Sequence, residues 1–162
     1  MYTSSSLYHL LKQEDDCFQR LFTHLDSMPG EMLVTELEDQ SFASIRAHLV
    51  HLLKSGNLML KLLGDETQPG RDPDDLFELP ELRQAWSALI RRMGGWLQGM
   101  SEAELDHFQD FMWPSGRETR MPRGTMYIRA LFHMAHHKGQ IAQQCRLLGF
   151  PAPNTEIVWV AL

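Results

Sequence analysis

Three of the eight histidines fall within five residues: His133, His136 and His137, in the run Leu131-Phe132-His133-Met134-Ala135-His136-His137-Lys138-Gly139-Gln140. His133 and His137 are four apart. On a helix they share one face, about 6 Å apart along the axis. Such a pair can occupy two adjacent vertices of a metal polyhedron, the use that zincins make of the same spacing. No Glu follows the first His, so the zincin reading fails. His136 sits about 100° around the helix from His137. It is expected to be exposed, at an interface, or behind the ligands rather than among them.

A third ligand has to come from another helix. His48 and His51, three apart, supply two candidates. His48 lies nearer the Ile45, Leu49, Leu52 stripe; His51 shares its face with Ser55 and Leu58. Spacing leaves the choice open. His9, His24 and His107 read as surface or capping residues. Gln140 and Gln144 continue the His133, His137 line and are candidates to orient a substrate or water, though neither can act as a base. Glu102, Glu104 and Asp106 read as capping groups. Arg117, Arg120 and Arg123 would grip an anionic thiol or carboxylate if their loop folded over the site, and otherwise make a solvated turn. Trp113 and Trp159 are candidates for a pocket wall or for core. Cys17 and Cys145 are too few for a disulfide framework, and Cys145 reads as a small buried hydrophobe. Ten Met form no cluster suited to copper.

The elements that must position these groups are helical. Leu7, Leu10, Leu11, Phe18, Leu21, Phe22 and Leu25 make one apolar stripe over 5–28, with N-caps offered by Ser4 to Ser6 and a stop at Pro29-Gly30. A second helix is predicted from about Ser41 to Leu63, closed by Gly64. The polar stretch 65–78 is a connection. A third helix starts near Pro80 and carries Leu82, Trp86, Leu89, Ile90, Met93, Trp96 and Leu97, with Gly94-Gly95 weakening its last turns. Ser101-Glu102-Ala103-Glu104 matches a capping box and predicts a short extra helix. Between Phe108 and Arg123 the helical period is lost, which predicts two extended pieces around Pro114-Ser115-Gly116. The last helix is expected over about Thr125–Leu148, closed by Gly149. The apolar tail from Thr155 has no clear period. Four helices of about 20 residues imply an all-α, up-and-down four-helix bundle, one domain over residues 1–162.

Composition bounds the function. The chain is 43% hydrophobic and 22% charged, an ordinary globular mix. With 15 basic and 21 acidic residues the net charge is -6, and no helix carries a basic stripe, which argues against nucleic-acid binding. No apolar run is long enough to span a bilayer. The start, MYTSSSLYHLLKQEDD, lacks a charged region followed by an apolar one, so the expected location is cytoplasmic.

SFASIRAHLVHLL (residues 41–53), followed by Leu62-Leu63-Gly64, resembles the second helix of the DinB (DNA-damage-inducible) family, with its single metal histidine and closing glycine. HMAHHKGQIAQQCRLLG (133–149) is similar to that family's last-helix motif, H-x3-HRGQ, and PAPNTEIVWV to its exit segment. Together these segments cover about a third of the chain. The resemblance implies a DinB/YfiT-like four-helix bundle and a homodimer. It implies a divalent metal held by His51, His133 and His137, which decides between His51 and His48. Lys138 stands where the family usually has Arg, keeping the charge but losing the planar fork. Some members are thiol-dependent transferases or isomerases that use bacillithiol, mycothiol or glutathione. The family name records induction by DNA damage, not DNA binding.

Three neutral imidazoles leave a coordination position open, which points to catalysis rather than a closed structural site. They suit zinc or nickel first, and iron or copper also. With no acid–base residue standing out, the metal itself would activate a water or thiol. The implied function is a metal-dependent thiol transferase, or a related hydrolase or isomerase, acting on a small molecule. The alternative is a non-enzymatic, dimeric, stress-related bundle whose metal is structural or adventitious.

Overall fold

A computed structural model describes residues 2–68 and 70–156. Trp159 and the end of the tail lie outside these residues. Four long helices build the expected bundle: α1 (Ser4–Asp26), α2 (Ile45–Leu62), α3 (Leu79–Gln98) and α5 (Arg123–Leu147), with a short α4 (Glu102–Asp106) and an antiparallel hairpin, β1 (Phe108–Met112) and β2 (Glu118–Pro122), before α5.

Side-chain caps fix the starts of α1, α2 and α4. Thr3, rather than Ser4 to Ser6, caps α1: its side chain accepts from the Ser6 N–H while the Ser6 hydroxyl answers back, a reciprocal box. The α2 start differs more from expectation. The helix begins at Ile45, not Ser41, because the Ser44 hydroxyl accepts from Ala47 N–H and leaves 41–44 as a strap outside the helix. Ser101 and Glu104 form the predicted box on α4. Gly94-Gly95 does not shorten α3. Gly64 and Gly149 take φ of +92° and +87° just past α2 and α5, where a side chain would be strained.

Around the bundle axis the order is α1, α3, α2, α5: α1 packs on α3 and α5, and α2 packs on the same two helices. The α1–α3 seam holds Phe18, Phe22 and Trp86. Phe18 lies 4.0 Å from Trp86 between centroids, and the Trp86 indole N–H donates to Asp15 at 3.0 Å. Both rings are buried, each stabilising the fold by roughly 2–3 kcal/mol through lost water contact. The opposite seam joins α2 to α5, and the histidines lie there. Among the described residues, no helix is long and apolar enough to cross a membrane.

Candidate metal centre

The α2–α5 seam brings His51, His133 and His137 together, with one ligand nitrogen from each within 4.8 Å of the others. His51 Nε2 and His133 Nε2 are 3.0 Å apart. The rings of His133 and His137, one turn apart on α5, sit edge to face at 4.4 Å. Bonds of about 2.1 Å to one cation would hold ligand nitrogens roughly 3–4 Å apart, close to this spacing. The donor set therefore fits a divalent metal. Zinc, nickel and other imidazole-binding ions share this preference.

All three rings are held in the neutral form that a ligand needs. Burial lowers the His133 pKa to about 4, helped by the neighbouring His137, His51 and His136 and by Arg129. Burial lowers His51 and His137 in the same direction.

His48 is not in this group. It is fully buried behind it, its Nδ1 3.2 Å from His137 Nδ1. Only one ring can donate across that contact. If the His137 Nδ1–H donates, His137 keeps a lone pair on Nε2, and His48 carries its own proton on Nε2, a buried atom with no partner. Burial holds the His48 pKa down at about 4, so it too is neutral.

A second layer comes from the strap. Phe42 was expected to be a helix residue; instead its ring covers the cluster, with centroids 4.4 Å from His51, 4.9 Å from His48 and 5.5 Å from His137. Gln144, fully buried, donates to Phe42 O at 2.7 Å, and Gln140 donates to Ser41 Oγ at 3.1 Å. These two amides hold the strap down through their N–H groups. Lys138 is buried with its ammonium 2.9 Å from Glu14 of α1, so it serves a helix–helix ion pair.

His51 and His133 also line a hollow of about 160 Å³. Leu58, Met59, Met126, Ala130 and Met134 give it apolar walls; Trp113, Ser55 and Arg129 supply its polar atoms. Trp113 thus takes the pocket role, carried there by the hairpin, and its indole N–H donates to Thr119 Oγ1 at 2.9 Å. The arginine at the hollow is Arg129, one turn before His133 on α5 and outside the Arg117, Arg120, Arg123 run. Arg117, Arg120 and Arg123 are not at the site: Arg120 faces Asp110 across the exposed hairpin, Arg123 donates to Gln109, and Arg117 is exposed in the turn.

Of the other expectations, His136 is exposed beside His137, His9 is exposed and bonded to Gln13, and His107 caps α4. The His24 ring N–H donates to Phe150 O at 3.1 Å. Glu104 caps α4 as expected. Cys145 is buried, with its thiol pushed up to about 11 by burial, in line with an unreactive hydrophobe.

A family model described as the DinB family matches residues 1–161. The chain belongs to the DinB family. Solved structures agree on the fold of this DinB chain. A DinB-like protein from Bacillus cereus ATCC 10987 is similar at TM-score 0.70 and 18% identity, over 90% of this chain and 94% of its own. A DinB-like protein from Bacillus subtilis gives 0.62 and 13%, over 93% and 99%. A DinB family member from Shewanella denitrificans gives 0.60 and 18%, over 99% and 93%. No curated protein matches the sequence significantly.

Proposed function

We propose that His51, His133 and His137 hold a divalent metal ion, zinc or nickel first among the candidates. We further propose that the protein is a metal-dependent enzyme for a small molecule, of the thiol S-transferase type or a related hydrolase or isomerase. The observation that carries this reading is the convergence of three imidazoles from two helices beside an apolar hollow of about 160 Å³. When bound, the cation supplies Lewis acidity, which lowers the pKa of a water or thiol presented to it.

The chain's own residues divide the remaining work. The three imidazoles contribute donors but no charge, so the cation's full positive charge stays available to a ligand. His48 can hold the His137 tautomer, and Phe42 keeps water off one side, leaving the hollow as the approach. Ser55 donates its hydroxyl to Leu52 O at 3.1 Å, so it is not poised as a nucleophile. The residues lining the hollow include no Asp, Glu, Lys or Cys, which supports activation by the ion rather than by a side-chain base.

A structural metal is less well supported. The Phe18–Trp86 packing lies on the α1–α3 seam, opposite the histidines, and does not need a cation to form. The test is chelation followed by a screen with bacillithiol, mycothiol and glutathione against electrophiles. Retained helicity without metal, and turnover only with it, supports the enzyme. Unfolding on chelation, with no turnover, supports the non-enzymatic bundle.

A further inference from the structure

Arg129 is the one fully charged side chain among the residues lining the hollow. It lies four residues before His133 on the same face of α5, about 6 Å away along the helix axis. Its guanidinium carbon sits 4.4 Å from the centre of the Trp113 ring. Trp113 is anchored in turn to Thr119 on the hairpin. Arg129 is exposed; stacking places its guanidinium, and its N–H fork donates to no protein acceptor among the described residues. The ion pairs among the described residues do not include it. A stacked arginine without a carboxylate partner, at the mouth of an apolar space, is suited to receive a carboxylate from outside.

Size and charge narrow the ligand. A volume of about 160 Å³ is that of a small ring or a short branched chain, comparable to apolar cavities that accept benzene. A single guanidinium on a chain of net charge -6 suits one negative charge, not a polyphosphate. We propose that this hollow binds a small organic carboxylate with an apolar body about the size of a phenyl group. Arg129 and Trp113 take the carboxylate end, and the body lies against the methionine wall toward His51 and His133. The assignment rests on the metal reading only for what happens at the histidine end.

The test uses untagged protein, metal-free and zinc-loaded, titrated with phenylacetate and with its neutral isostere phenylacetamide, by calorimetry and tryptophan fluorescence. Phenylacetate should bind at least about tenfold more tightly than phenylacetamide, as one charge-assisted pair implies. Arg129→Gln should weaken phenylacetate by about tenfold, leave phenylacetamide unchanged and leave zinc stoichiometry unchanged. Arg129→Lys, which keeps the charge, should fall between. Equal binding of the two probes, an Arg129→Gln protein that binds phenylacetate as the parent does, or no phenylacetate binding at millimolar concentration overturns the proposal. Arg129-dependent binding in a protein that takes up no zinc sustains the carboxylate site and removes the metal reading. One zinc per chain with no phenylacetate binding does the reverse.

Discussion

His48 is the residue whose removal most sharply separates a ligand from the group that sets it up. Its Nδ1 faces His137 Nδ1 at 3.2 Å, so it can fix which nitrogen of His137 is left for a metal. Replacing His48 with Phe keeps the bulk and removes the acceptor. Metal affinity, read by competition against a chromophoric chelator, should drop by about 10- to 100-fold while one site per chain remains. Affinity equal to the parent's would show that His48 only packs. That His133 and His137 share a face was legible in the sequence, because residues four apart lie on one side of a helix. The choice between His48 and His51 was not, since residues three apart lie only about 60° from each other around the axis. Arg129 was legible in principle, by following the histidine face back one turn. Of the run Arg117, Arg120, Arg123, Arg120 is paired by register with Asp110 and Arg123 donates to Gln109, so neither faces the hollow.

At the scale of elements, α5 is set against α1 by the buried pair Glu14–Lys138, and Glu14 Oε1 has no partner of its own. Removing one member leaves a buried charge uncompensated. Lys138→Met should therefore cost about 3–5 kcal/mol in denaturant unfolding, and Glu14→Leu a similar amount. The double variant should recover most of that loss, because apolar replacement of a whole buried pair is often nearly neutral. Additive losses would mean that the two side chains do not act as a pair. Helix positions were readable from period and caps, and the hairpin from its broken period and turn residues. The start of α2 was misplaced because Phe42 fits the apolar period; its ring is instead drawn onto the histidines by bonds from Gln140 and Gln144, about 100 residues away. The order of helices around the axis was not legible either. Amphipathic stripes show which face is buried, not against which partner, and the connection spanning 27–44 is long enough to reach across the bundle.

For the molecule as a whole, the buried histidines tie stability to pH. In the metal-free protein His48 and His133 titrate at about 4 when folded, against the ordinary value of 6.5, and His51 and His137 are lowered too. Between these values the unfolded chain binds more protons than the folded one. The histidine contribution is thus fully present above about pH 6.5 and is lost as pH falls toward 4. The melting temperature of metal-free protein should fall clearly from pH 7.5 to pH 5.0, and metal should raise it more at pH 7.5, where protons do not compete. A melting temperature independent of pH over that range would mean that the rings are not buried neutral. The most direct measurement for the whole account is elemental analysis of protein purified without a histidine tag or nickel resin, alongside His51→Ala, His133→Ala and His137→Ala. The parent should carry close to one divalent metal per chain and each variant should lose it, with helical content kept. Full metal occupancy in all three variants, or a parent that takes up none when zinc or nickel is supplied, would contradict this.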